Sequence, residues 1–291
     1  MGEQIRQGPS ATRGVNEADR PEIEALIRRC AQADGTDPKL VIRSPAEEVD
    51  SVDCAFLFHD RGALIGYFAF DGTELSGLVD PTRRRRGVGR TLLEAALSVA
   101  RLRGLSTVTL ITEEIAPVGA AFALALGAKK AFSEHRMAQG APVPGPPPPP
   151  DLRLRPADLD DLDLLVHLMG EVFDEPAAQV RVSLRKELTT PGERFHLAFL
   201  GDAPIGCFKA LFAGPRVFLH AFGVVPLRRR QGLARVMLAK AAEQLRGDEG
   251  EGARSLALEV ETHNLGALAL YRAAGFRVTT TYGYHALSVP G

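Results

Sequence analysis

Val79-Asp80-Pro81-Thr82-Arg83-Arg84-Arg85-Arg86-Gly87-Val88-Gly89-Arg90 and Val224-Val225-Pro226-Leu227-Arg228-Arg229-Arg230-Gln231-Gly232-Leu233-Ala234-Arg235 are two versions of one phrase. Pro81 and Pro226 stand 145 positions apart, and so do Gly87 and Gly232. Between them lies Ala-Pro-Val-Pro-Gly-Pro-Pro-Pro-Pro-Pro at 141–150, which favours polyproline II and offers few backbone donors to a helix or ladder. A constant offset on both sides of a proline tract predicts a duplication. The expected division is a first domain over 1–140, a semi-rigid spacer over 141–150, and a second domain over 151–291.

The composition agrees with two globular domains. The chain has 291 residues, 45% hydrophobic and 24% charged, which excludes a disordered or collagen-like chain. Lys and Arg (35) balance Asp and Glu (36), so a general nucleic-acid binder, which carries a basic domain, is not expected. The three cysteines, Cys30, Cys54 and Cys207, form neither a disulfide framework nor a metal spacing. Met1–Ser10 lacks the apolar core of a signal peptide. The longest largely apolar run, Ile115–Ala128, is too short to span a bilayer and reads as part of a buried helix. These features predict a cytoplasmic protein with no membrane or nucleic-acid partner and no metal.

Each half repeats the same order of elements. Helices are expected around Glu17–Arg29 and Leu159–Phe173. Strand pairs follow at Ala55–His59 with Leu64–Phe70, and at His196–Leu200 with Ile205–Leu211, each across a tight turn. A strand enters the Arg/Gly phrase and a helix leaves it. Leu92, Leu93, Ala96, Leu97 and Ala100 match Met237, Leu238, Ala241, Ala242 and Leu245, one apolar face in each half. Strands at Thr107–Thr112 and Leu256–Glu261 and a further helix close each unit. The fold class is α/β (mixed α+β), two tandem domains, each a central mixed sheet flanked by helices.

Strand, Arg-x-x-Gly-x-Gly/Ala, helix is suited to hold phosphate. Glycine removes the Cβ that would keep a ligand from the backbone, and the first amides of the helix point outward unpaired. Flanking arginines add charge. Such runs also serve as solvated surface charge or as an RNA-backbone patch, but two runs at one place before the same helix favour a built anion site. Gly87-Val88-Gly89-Arg90-Thr91-Leu92 lacks the third glycine of a dinucleotide fingerprint, and no Gly-Lys-Ser/Thr is present.

This phrase resembles the acetyl-CoA signature of the GNAT superfamily of N-acetyltransferases. The second half adds Asn264-x-x-Ala267-x-x-Leu270-Tyr271-x-x-x-Gly275-Phe276, similar to that superfamily's downstream signature. Leu258-Glu259-Val260 with Asn264 and Tyr271 most resembles ribosomal-protein alanine acetyltransferases. The two-domain layout is similar to tandem members such as the mycothiol synthases. The resemblance implies acetyl-CoA as cofactor and direct attack of a primary amine, on a small molecule or peptide, in a ternary complex.

It also implies roles. Main-chain groups of Phe222, Gly223 and Val224 bind the pantetheine arm, and Arg229, Arg230, Gln231, Gly232, Leu233, Ala234 and Arg235 cradle the pyrophosphate. Asn264 holds the cofactor arm through its amide, and Tyr271 protonates the departing sulfur. Glu259 is the candidate base, with Glu261 and His220 as reserves; His263 is expected in solvent. In the first half the corresponding cofactor residues are Leu78, Val79, Arg84, Arg85, Gly87, Val88, Gly89 and Arg90. Aligning Gly127 with Gly275 sets Ala123 at the Tyr271 position, Ala116 at Asn264 and Ile111, or Leu110 with a one-residue gap, at Glu259. The first half is therefore expected to be catalytically silent while keeping its phosphate turn. A non-catalytic acyl-CoA-binding protein is the alternative reading of the whole. Acceptor-binding loops are expected near Asp34–Asp50 and Glu175–Glu193.

Overall fold

A computed structural model describes residues 6–40, 42, 54–140, 143–246 and 254–290. Part of the first expected acceptor loop (41 and 43–50) and the start of the proline tract (141–142) lie outside the described residues. The chain forms two compact units, Met1–Glu134 with Thr280–Gly291, and His135–Thr279. The units cut across the linear division at 141–150: the end of the chain belongs to unit 1, and 135–140 to unit 2.

Unit 1 runs β1 (Gly8–Thr12), α1 (Arg20–Asp34), β2 (Ala55–Asp60), β3 (Ala63–Asp71), β4 (Glu74–Val79), α2 (Val88–Leu102), β5 (Thr107–Glu113), α3 (Pro117–Ala125) and the first part of β6 (Lys129–Gln139). Unit 2 takes the rest of β6, then β7 (Leu152–Pro156), α4 (Leu162–Phe173), α5 (Ala177–Glu187), β8 (Glu193–Leu200), β9 (Ala203–Ala213), β10 (Arg216–Val224), α6 (Leu233–Arg246), β11 (Ser255–Glu261), α7 (Leu265–Ala273) and the start of β12 (Phe276–Ser288). The remainder of β12 returns to unit 1, where it pairs antiparallel with β5, Tyr284 opposite Ile111. In unit 1 the strands order β1-β2-β3-β4-β5-β12, and in unit 2 β6-β11-β10-β9-β8-β7.

Local chemistry explains most boundaries. Pro21 opens α1, and Gly35, at φ +67°, closes it by donating its amide to the Ala31 carbonyl. Asp158 and Asp161 form a reciprocal capping box ahead of α4. The Arg61-Gly62 turn, both residues at positive φ, joins β2 and β3. The expected apolar faces of α2 and α6 are buried: Leu92 and Ala96 in unit 1, and Met237, Leu238 and Ala241 in unit 2, are closed to solvent. Each sheet is covered on both faces. In unit 1, α2 and α3 enclose one cluster and α1 the other. In unit 2, α6 and α7 enclose one and α4 with α5 the other.

Four expectations need correction. Each unit opens with a short strand, β1 or β7, and not with a helix; both are edge strands too short to show an alternating pattern. The first helix runs Arg20–Asp34, shifted from Glu17–Arg29 because Pro21 sets its first turn. The stretch Glu175–Glu193 contains a helix, α5, held through Val180 and Leu184. Ile115–Ala128 is not a buried helix: α3 is amphipathic in packing, with Ala123 closed to solvent and Leu124 and Ile115 exposed.

Candidate functional site

In both units the two central parallel strands pair only at their beginnings. β4 meets β5 at Glu74–Thr109 and Leu75–Leu110, and β10 meets β11 from Arg216–Ser255 to Leu219–Leu258. Beyond those pairs the strands diverge, leaving unpaired backbone edges facing one another across a gap. Unpaired donors and acceptors in such a gap can bind an amide-bearing arm laid between them. Unit 2 adds a bulge. The β9–β10 register shifts between His220 and Gly223, with Ala221 at φ +47°, whereas β3–β4 runs unbroken. A bulge of this kind re-aims main-chain groups into the gap. Its packing demands glycine: a Cβ on Gly206 would lie 2.2 Å from the Gly223 carbonyl oxygen, and one on Gly223 would lie 2.1 Å from Val172.

The Arg/Gly phrase folds identically in both units. Arg85 and Arg230 have φ +61° and +63°, and Gly87 and Gly232 have φ +88° and +78°. Left-handed residues alternating before a helix turn successive amides toward one side, a concavity that accepts anions. A Cβ on Gly87 or Gly232 would meet nothing within 4 Å, so these glycines serve the backbone angle and an open approach from outside. The turns fit a pyrophosphate, with Arg85, Arg90, Arg230 and Arg235 exposed beside them.

The second arginine of each phrase has another partner than the one expected. Arg229 Nε donates to the Val224 carbonyl at 3.0 Å and its Nη2 to Val172 at 2.9 Å. Arg84 Nε donates to Val79 at 3.1 Å, and its two terminal nitrogens fork onto Asp34 at 2.7 and 2.6 Å. These guanidiniums brace the turn against the end of the preceding strand. Gln231 is exposed and tied back along its own turn, its Nε2 donating to the Leu227 carbonyl at 3.1 Å. Val224 and Leu233 are core residues, and Ala234 is partly buried against them. Arg235 faces a groove shared with the proline tract along α6, where Gly145 packs on Ala239.

Across the gap of unit 2, Tyr271 on α7 is almost buried. Its ring lies 6.4 Å from Phe222 at the bulge and 5.9 Å from Phe276. Burial pushes its phenol up to about 12. Asn264 caps α7, its Oδ1 accepting from the Ala267 amide at 3.1 Å, which leaves the side-chain NH₂ uncommitted by that contact. Glu259 stands on the other face of β11 from the core residues Leu258 and Val260. Its Oε1 accepts from Arg136 Nε at 3.0 Å and Nη2 at 2.9 Å. Arg136 belongs to β6, and its guanidinium carbon lies 5.5 Å from the centre of the Phe218 ring on β10. His220 follows on the same pleat, 6.3 Å from Phe218 ring to ring. Glu261 and His263 are exposed. Arg136 was not a sequence candidate, because it lies ahead of the proline tract and carries no motif.

All eight first-half candidates, Leu78, Val79, Arg84, Arg85, Gly87, Val88, Gly89 and Arg90, line one cleft of about 400 Å³ within unit 1. Ile111 and Ala116 line it too, at the Glu259 and Asn264 positions, while Ala123 replaces Tyr271 behind them. The register supports this alignment: β5 and α3 match β11 and α7 in length, and Ala116 and Asn264 both precede their helix, the first without a side-chain cap. Segment 34–40 closes the α1 side of the cleft. Asp34 takes the Arg84 fork, the Asp37 amide donates to Glu113 at 3.0 Å, the Tyr282 hydroxyl donates to the Asp37 carbonyl at 2.5 Å, and Lys39 reaches the Tyr284 hydroxyl at 2.6 Å. Tyr284 also bonds Glu134. Among the described residues no helix is long and apolar enough to cross a membrane.

Comparison with known proteins agrees with this geometry. The acetyltransferase (GNAT) family matches at residues 22–127 and again at 162–276. A mycothiol acetyltransferase of Clavibacter michiganensis is 32% identical over 74% of this chain and 72% of its own length. One from Clavibacter sepedonicus is 30% identical over 94% of this chain and 91% of its own. Among solved structures, a GCN5-related N-acetyltransferase from Sphaerobacter thermophilus superposes with a TM-score of 0.75 at 22% identity, covering 99% of this chain and 98% of its own. A tandem GNAT protein from the clavulanic acid biosynthesis pathway superposes with a TM-score of 0.72 at 17% identity, covering 98% of both chains. With the family matched once in each repeat, the chain belongs to the acetyltransferase (GNAT) family and is a tandem, acetyl-CoA-dependent N-acetyltransferase.

Proposed function

We propose that unit 2 transfers the acetyl group to a primary amine by direct attack, and that unit 1 holds a CoA thioester without transferring it. The observation that carries this reading is the bulge at Ala221–Phe222 facing Tyr271, a pair with no counterpart in unit 1. Bound acetyl-CoA supplies an activated acyl carbon on a good leaving group. In unit 2 the amides of the Arg230–Gly232 turn and exposed Arg230 and Arg235 hold the pyrophosphate. The re-aimed backbone at Phe222–Val224 lines the arm and polarises the carbonyl, and the Asn264 amide group faces the arm from the start of α7.

The amine nitrogen forms the new C–N bond as the C–S bond breaks. Glu259, directly or through water, takes the proton lost by the nitrogen; an ordinary carboxylate is a weak base for an ammonium, so the amine must arrive neutral or lose its proton as the bond forms. Tyr271 donates to the departing sulfur. Buried as it is, the phenol is protonated throughout the neutral range before the step; it passes its proton to the sulfur as the C–S bond breaks, so that CoA leaves as the thiol, and it regains a proton from solvent.

Unit 1 keeps the turn and the gap but has Ala123, Ala116 and Ile111 at the positions of Tyr271, Asn264 and Glu259; Asp34, Glu113 and Tyr282, which line its cleft, are engaged by Arg84 and by the backbone of Asp37, and the pinned segment 34–40 covers the face from which an acceptor would enter. The relatives' name directs the first acceptor assay to the amine acetylated by enzymes of that name. Tyr271→Phe tests the reading. Turnover should fall by roughly 10²–10⁴ with the KM for acetyl-CoA little changed, and undiminished turnover removes Tyr271 as the acid.

A further inference from the structure

The Arg136–Glu259 pair joins residues on opposite sides of the proline tract, 123 positions apart in sequence. Both side chains are about nine-tenths buried, and two guanidinium nitrogens converge on one carboxylate oxygen, Oε1. The face of the guanidinium rests on Phe218, which fixes its plane. A fork of this kind sets the orientation of a carboxylate as well as its charge, which a single ammonium would not do.

We infer that Arg136 is the positioning residue for Glu259: it fixes the carboxylate through Oε1 at the mouth of the β10–β11 gap and keeps it ionised for the incoming amine. The inference rests on the reading of Glu259 as the base. It means that the transferring site of the second repeat is completed by a side chain the first repeat's sequence carries, since β6 begins in unit 1 at Lys129 and ends in unit 2. Among the described residues, other charged or titratable groups on this sheet face include Arg216 and His220 on β10 and Lys209 on β9, whose ammonium is held by Glu187 at the end of α5 and by Glu193 on β8. Glu261, two residues beyond, is exposed. Arg136 is the cation whose fork reaches Glu259.

The test is the pH profile of kcat/KM for the full-length protein and its Arg136→Gln, Arg136→Lys, Glu259→Gln and double Arg136→Gln/Glu259→Gln variants. CoA release from acetyl-CoA is followed with the first amine of a panel (alaninamide, glucosamine, spermidine, cysteine) that supports turnover. Removing a cation beside a carboxylate lets it protonate at higher pH, so Arg136→Gln should move the acid limb upward by on the order of one unit. Its kcat should fall about tenfold or more, with the KM for acetyl-CoA within about threefold. Arg136→Lys should keep the limb near its original position while recovering part of kcat, because a lysine restores the charge but not the fork. The double variant should be no slower than Glu259→Gln alone.

An unmoved acid limb in Arg136→Gln, or losses that add in the double variant, overturns the positioning role and leaves Glu259 as base. Undiminished turnover in Glu259→Gln, or no turnover of any amine by the unaltered protein, overturns the underlying reading and the inference with it.

Discussion

Arg229 donates its Nε to the Val224 carbonyl at 3.0 Å, and 145 residues earlier Arg84 makes the same bond to Val79 at 3.1 Å. The second arginine of each phrase therefore seals the strand–turn junction, and the third, held in the left-handed region, stays outside. A charge-assisted bond to a carbonyl is worth about 1.5–3 kcal/mol, so Arg229→Ala should lower the melting temperature measurably. Arg230→Ala should leave melting nearly unchanged and weaken CoA binding, read by calorimetry. Equal effects of the two substitutions on both measurements would contradict this division.

The tyrosine assignment has a spectroscopic test that needs no acceptor. The chain has four tyrosines and no tryptophan, so phenolate absorbance titrates without an indole background. Burial places Tyr271 at about 12, and its ionisation should appear above the ordinary phenol range. Because Tyr67, Tyr282 and Tyr284 are buried as well, Tyr271→Phe should lower the amplitude of that high-pH step by one phenol. A step of undiminished amplitude in the variant belongs to the other tyrosines.

Calorimetry with acetyl-CoA should give two sites per chain. Gly87→Val and Gly232→Val should each abolish one of them, because a β-branched residue at φ near +80° is strained and would swing the turn amides out of line. A single site, lost in Gly232→Val and retained in Gly87→Val, would reduce unit 1 to a scaffold.

Acid should destabilise the fold before the carboxylates titrate. His196, stacked on Phe208 at 4.6 Å, and His59 and His285 are all lowered, chiefly by burial. A histidine lowered in the folded state stays neutral there while the unfolded chain takes up a proton near 6.5. Stability is thus fully present above that pH and declines as pH falls through the folded values. Melting at pH 5.5 should lie below melting at pH 7.5, and His196→Phe should shrink the difference; an unchanged difference would assign it elsewhere.

Much of the fold was legible because its signals are local. The apolar faces of α2 and α6 and the glycine turns each depend on residues within one or two helical turns. The difference between the repeats was legible for the same reason: Ala116 and Ala123 stand where Asn264 and Tyr271 stand, and helix register carries that comparison. The edge strands β1 and β7, with five residues each, were not legible, since so short a stretch has no period to read. Helix α5 was hidden in a stretch with few apolar anchors, and its place is decided by Val180 and Leu184 packing under α4.

By itself the sequence determined the duplication, the two Arg/Gly turns, their following helices and the place of Tyr271 in the second repeat, because each is fixed by spacing along a few consecutive residues. The tertiary structure alone decided which arginine braces each turn, where the strands part, that the ends of β6 and β12 pass into the other repeat's unit, and that Arg136 meets Glu259. Those outcomes depend on which strand lies beside which, and contacts between residues more than a hundred positions apart leave no period in the sequence to read.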